Sequence, residues 1–132
     1  MDDSGLVTLQ SAHSAAETLT RLEAVLKTKG IQVFARIDHA AGAASVGLEL
    51  RPTLLLIFGD PGAGTALMQA DQRVGLDLPL KALIWEDAGG QAFVTYSDPR
   101  WIARRHGLTS PAAEAAGRLA VGLEGLANAA TG

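Results

Sequence analysis

The stretch Gly59-Asp60-Pro61-Gly62-Ala63-Gly64-Thr65 is where residue types and spacing come nearest to chemistry. It follows a continuous apolar run and precedes a segment of helical composition, a setting in which backbone N–H groups and a helix dipole hold an anion. Gly59, Asp60, Gly62, Gly64 and Thr65 are therefore the expected ligand-binding residues, for a small anionic or polar molecule. The spacing imitates a phosphate loop, but Thr65 stands where that loop needs its lysine, which argues against nucleotide hydrolysis. Gly62 and Gly64 also begin a dinucleotide fingerprint, yet Leu67 replaces its third glycine. The plain alternative is a strand-ending turn, in which Pro61 restricts Asp60 and the glycines let the chain reverse.

Three side chains are candidates for acid–base work: His39, Asp60 and Glu86. Imidazole titrates near neutral pH, and a carboxylate beside it would orient it. Asp38 is a poor orienting partner for His39, because neighbours on a strand point to opposite faces. The segment with Arg100, Trp101, Arg104, Arg105 and His106 offers a grip for a phosphate or an acidic partner. Its bland counterpart is a helix that buries Trp101 and Ile102 while the arginines pair with acids.

Composition excludes several classes. With 11 Lys and Arg against 14 Asp and Glu, the formal charge of −3 provides no field to gather nucleic acid. The absence of cysteine removes disulfides, thiolate nucleophiles and cysteine metal sites. His13, His39 and His106 lack a zinc spacing, no Gly-x-Ser-x-Gly elbow surrounds any serine, and no cofactor is implied. Polar residues interrupt every apolar stretch before it reaches membrane-spanning length, so a cytoplasmic protein without membrane contact is expected.

The elements that must position these residues are readable from period and punctuation. Gly5 to Gln10 reads as a strand, and Ser14 with Glu17 forms a capping box for a helix carrying Leu19, Leu22 and Leu26, which ends at Gly30. Ile31 to His39 alternates as a strand, and Ala40 to Gly47 suits a short helix capped by Asp38. The run from Thr53 to Phe58 fits a strand buried on both faces, followed by a helix from Thr65 to about Gln72. Lys81 to Glu86 and Gln91 to Tyr96 form a hairpin around Asp87-Ala88-Gly89-Gly90. Asp98 with Pro99 starts a helix ending near Gly107, and Ser110 with Pro111 starts the last one. In that last helix Ala112, Ala116, Leu119, Leu123, Leu126 and Ala130 make a narrow apolar seam, suited to the sheet or to a second subunit. Leu19, Leu22, Leu26, Leu55, Ile57, Ile84 and Val94 are the expected core.

The segments IDHAAGAASVG, LLIFGDP, LDLPLKALIWED and YSDPRWIARRHGL, in this order, resemble the bacterial and archaeal family called domain of unknown function 302. The resemblance covers residues 5–108 and leaves the helix at 110–130 outside. It implies an α+β fold with a mostly antiparallel sheet of about five strands covered by helices, often as a homodimer. It implies no activity, and marks His39, Asp60, Pro61, Leu78, Pro79, Glu86, Tyr96 and His106 only as positions to examine.

The expectation from sequence is thus one α+β domain over residues 1–132, acting as a noncatalytic, homodimeric binding or accessory domain in the cytoplasm. Its expected ligand is a small anionic or polar molecule at Gly59 to Thr65. The alternatives are an enzyme with an acid/base pocket around His39 and Asp60, and a purely structural or protein-interaction domain.

Overall fold

The computed structural model describes residues 3–132, and within them five strands form one antiparallel sheet in the order β1-β5-β4-β3-β2. The strands are β1 (Leu6–Gln10), β2 (Gln32–Asp38), β3 (Thr53–Gly59), β4 (Leu80–Glu86) and β5 (Ala92–Ser97). Four of them follow one another as a meander, and β1 returns to pair with β5 in the register Leu6 to Ser97 through Gln10 to Phe93. Asp87 makes the β4–β5 hairpin tight: its carboxylate accepts from the amides of Gly89 and Gln91, both at 2.9 Å, and Gly90 supplies a φ of 84°.

Helices α1 (Ala15–Thr28) and α5 (Ala112–Thr131) pack on one face of the sheet. Ser14 caps α1 as expected, its hydroxyl accepting from the Glu17 amide. Leu22 and Leu26 of α1 meet Leu56, Phe58, Ile84 and Val94 from the sheet and Leu123 and Leu126 from α5. The face choice along β3 departs from expectation. Leu56 and Phe58 are the buried residues, and Leu55 and Ile57 lie partly exposed on the opposite face. An unbroken apolar run carries no alternation, so it gives no phase from which to choose the face.

A second cluster joins α3 (Pro61–Ala70), a 3-10 helix at Gln72–Asp77, and α4 (Pro99–Arg105) to the first turns of α5. Leu67, Val74, Ile102 and Ala116 are its buried centre. The seam of α5 is therefore spent inside the chain: Ala112, Ala116, Leu123, Leu126 and Ala130 are all buried against its own helices and sheet. Of the two partners the seam suited, it meets the chain's own helices and sheet. Ser110 does not cap α5 either; Pro111 takes the N-cap position without a side-chain bond.

The sheet's other face carries Ile37, Leu55, Ile57, Leu83, Trp85 and Phe93, none of them within either buried cluster. Trp85 and Phe93 stack there at 4.6 Å, and the Trp85 indole N–H donates to Thr95 Oγ1 at 2.9 Å. At the rim of this face, the edge strand β2 continues into α2 (His39–Ser45), which Asp38 caps through the Ala41 amide.

Candidate functional site

The glycine-rich segment is not a loop. Asp60 and Pro61 are N-cap and first residue of α3, so Gly62, Gly64 and Thr65 lie within the helix, which begins four residues before the expected Thr65. Each amide of that first turn is already used. Pro61 has none, the Gly62 N–H donates to Asp60 Oδ1 at 3.0 Å, and the Ala63 and Gly64 amides donate to the Asp60 carbonyl. Thr65 Oγ1 donates to the Pro61 carbonyl at 2.6 Å. The turn offers an anion no free donor, and the Asp60 carboxylate occupies the place where one would sit.

What the segment does form is the wall of a cavity of about 230 Å³ between α3, the 3-10 helix and the sheet edge. Gly59, Asp60 and Gly64 line it together with Phe34, Met68, Leu78, Pro79 and Leu119. Gly62 lies instead on a neighbouring groove beside Ala66 and Arg118, and Thr65 lines neither. No sequence signal assigns Phe34, Met68 and Leu119 to one site, because they come from β2, α3 and α5 and meet only in the fold. Leu78 and Pro79 had been marked by the family-like segment LDLPLKALIWED.

The acid–base candidates do not converge. In the β2–β3 register Asp38 pairs with Leu54 and Gln32 with Gly59, which puts His39 and Asp60 at opposite ends of the sheet. Six residue steps lead from Leu54 to Asp60, about 20 Å of rise. Glu86 sits at the His39 end, its amide bonded to the Pro52 carbonyl, two strand positions away from β2. Among the described residues His39 and Asp60 therefore do not share the pocket that the enzyme reading required.

The basic helix is tied down internally. Arg100 pairs with the buried Asp98 at 2.9 Å, and Arg105 pairs with Asp77 at 2.9 Å while lying over the Trp101 ring. His106 Nε2 lies 2.6 Å from Asp77 Oδ2. Beside it the Asp71 carboxyl is lowered to about 2, chiefly by the Arg73 side-chain hydrogen bonds. Among the described residues no group of His, Asp and Glu is arranged to hold a metal ion, and no helix is long and apolar enough to cross a membrane.

The family described as domain of unknown function DUF302 matches residues 7–126. The chain belongs to that family. The match takes in most of α5, which the four sequence segments had left outside. A DUF302 protein from Bacillus stearothermophilus, uncharacterised and solved by crystallography, has the same fold, with a TM-score of 0.85 over 96% of this chain and 98% of that one at 20% identity. Among curated proteins, "Fluoride-specific ion channel FluC 1" of Brucella suis is 55% identical over 106 residues, 80% of this chain and 42% of that protein. "Fluoride-specific ion channel FluC 1" of Brucella abortus matches at the same identity over 39% of its length. The DUF302 chain thus spans about two fifths of the curated relatives it matches.

Those names overturn the functional expectation. A free-standing cytoplasmic binding or accessory domain for a small anionic or polar ligand, and its enzymatic and purely structural alternatives, were read without any link to ion channels, whereas relatives sharing 55% of residues carry that name.

Proposed function

We propose that this DUF302 chain is the water-side domain of a fluoride channel assembly and carries no pore of its own. One observation carries the reading: relatives named as fluoride-specific channels are 55% identical over 80% of this chain, yet this chain accounts for only 42% of one of them, and none of its described helices has membrane-spanning length and hydropathy. A helical pore needs apolar stretches of about 20 residues, which then belong to the rest of those relatives.

The exposed surface supports a partner. Six of the nine large apolar side chains exposed among the described residues, Val33, Phe34, Ile37, Val46, Leu48 and Leu50, come from β2 and the segment before β3. That concentration lies at a sheet edge whose outer backbone groups are unpaired, a surface that proteins ordinarily cover or charge. In this reading the membrane part of the channel covers it.

Co-expression of this chain with the Brucella suis relative lacking its matched stretch tests the reading. The chain should remain with the membrane fraction and co-purify in detergent. A chain found wholly in the soluble fraction, with the truncated channel present in the membrane, would overturn it.

A further inference from the structure

Four glycines border or adjoin the cavity against α3, namely Gly59, Gly62, Gly64 and Gly75, and none has a positive φ. Their backbone geometry does not require glycine, and glycine within a helix is less stable there than alanine. At Gly75 a Cβ would stand 3.1 Å from Met68 Sδ, a tight contact, and at Gly59 and Gly64 space is the remaining physical reason. A Cβ on Gly64 would meet Leu78 Cδ1 at 3.5 Å and Met68 Cε at 3.8 Å, and one on Gly59 would meet the Phe34 ring at 3.6 Å. These are ordinary contacts, so alanine fits the fold at both positions and occupies cavity volume.

The remaining lining is apolar apart from Asp60. One oxygen of that carboxylate caps α3, and the other, on a side chain exposed to solvent, bonds no other described residue. Lys29 and Arg118 line an adjoining groove that shares Asp60, Gly59 and Leu119 with the cavity. Two cations in the same groove as the carboxylate disfavour a charged amine as its guest, and the carboxylate disfavours an anion. A neutral N–H or O–H donor suits it.

We propose that this cavity binds a small uncharged ring compound bearing one hydrogen-bond donor, its ring against Phe34, Met68, Leu78 and Leu119 and its donor on Asp60. The volume is sufficient: an enclosed apolar protein cavity of about 150 Å³ holds benzene, and this 230 Å³ space, open to solvent beside the 43% exposed Phe34, has room for a second fused ring. The inference stands on this geometry and is tested on the chain alone, because the channel reading would cover Phe34.

Indole is the probe, with 1-methylindole as the same ring without its donor, each titrated into the full chain by calorimetry or by nuclear magnetic resonance. Indole should saturate the wild type, and 1-methylindole should bind about tenfold more weakly or worse, the loss expected for a bond to a charged acceptor. Asp60→Asn keeps a capping oxygen and replaces the free acceptor by a donor, so it should erase the preference between the two. Gly64→Leu should abolish binding; Gly64→Ala, which keeps the fold, should weaken it while raising the melting temperature. No saturable indole binding, or equal binding by the folded Gly64→Ala and wild-type proteins, would overturn the site. Equal affinity for the two indoles in the wild type would overturn the role of Asp60.

Discussion

The Asp98 carboxylate, almost fully buried, receives the Arg100 guanidinium at 2.9 Å and the Arg100 amide at 2.8 Å across the first turn of α4. One side chain therefore caps a helix and anchors a cation, and its own amide bonds back to the Gly5 carbonyl at the start of β1. Burial by itself pushes this carboxyl up, but the Arg100 bonds outweigh it and hold the group below its ordinary 3.8.

A depressed folded value stabilises the protein fully above the unfolded value near 3.9 and ceases to do so as pH falls through the lower folded one. Thermal melts should therefore fall below about pH 4 in the wild type. Asp98→Asn keeps a capping oxygen and should flatten that acid slope, whereas Asp98→Ala should cost about 1–2 kcal/mol at neutral pH through the lost cap. An acid slope unchanged in Asp98→Asn would assign it to other carboxylates.

Leu56 and Leu55 are neighbours on β3 with different fates: Leu56 is 0% exposed within the main core, and Leu55 lies on the outer face. Leu56→Ala should lower stability by about 2–5 kcal/mol, and Leu55→Ala by clearly less. Chemical denaturation measures both, and equal losses would mean that the outer face is as well packed as the inner one.

Gly5 presents the opposite case to Gly64. Its φ is 74°, and a Cβ there would stand 2.2 Å from Trp101 Cγ. Gly5→Ala should lose about 1–2 kcal/mol from the left-handed backbone alone, and more from displacing the indole, whose N–H donates to the Asp3 carbonyl. A stability change below about 0.5 kcal/mol would show that this end of β1 moves freely around Trp101.

Much of this fold was legible in the sequence for definite reasons. Alternation and turn residues gave the β4–β5 hairpin, Ser14 gave the start of α1, and Asp98-Pro99 gave the start of α4. Asp60-Pro61 carries the same N-cap and first-position signal, but Gly62 and Gly64 equally suit a chain reversal after the strand, which masks the helix start. The cavity was not legible: Phe34, Gly64, Leu78 and Leu119 are far apart along the chain, and only the sheet order and the packing of α3 on α5 bring them together. Nor does any local pattern separate His39 from Asp60; that takes the β2–β3 register.

If the β2 edge and the segment after α2 face the channel, a charge placed there should disturb assembly and spare the fold. Ile37 is 41% exposed and Leu48 is 65% exposed. Ile37→Asp, within a strand, should cost about 1 kcal/mol and Leu48→Asp about 0.5 kcal/mol or less, and both should strongly reduce co-purification with the membrane part of the Brucella suis relative. Undiminished co-purification in both would move the contact to another surface.

Fluoride release from preloaded liposomes tests the central claim most directly, with the Brucella suis relative in full, the same protein lacking its matched stretch, and this chain alone reconstituted at equal protein mass. The account predicts fluoride release from both forms that keep the remainder of the relative and none above empty vesicles from this chain. Selective fluoride release by this chain alone would contradict it.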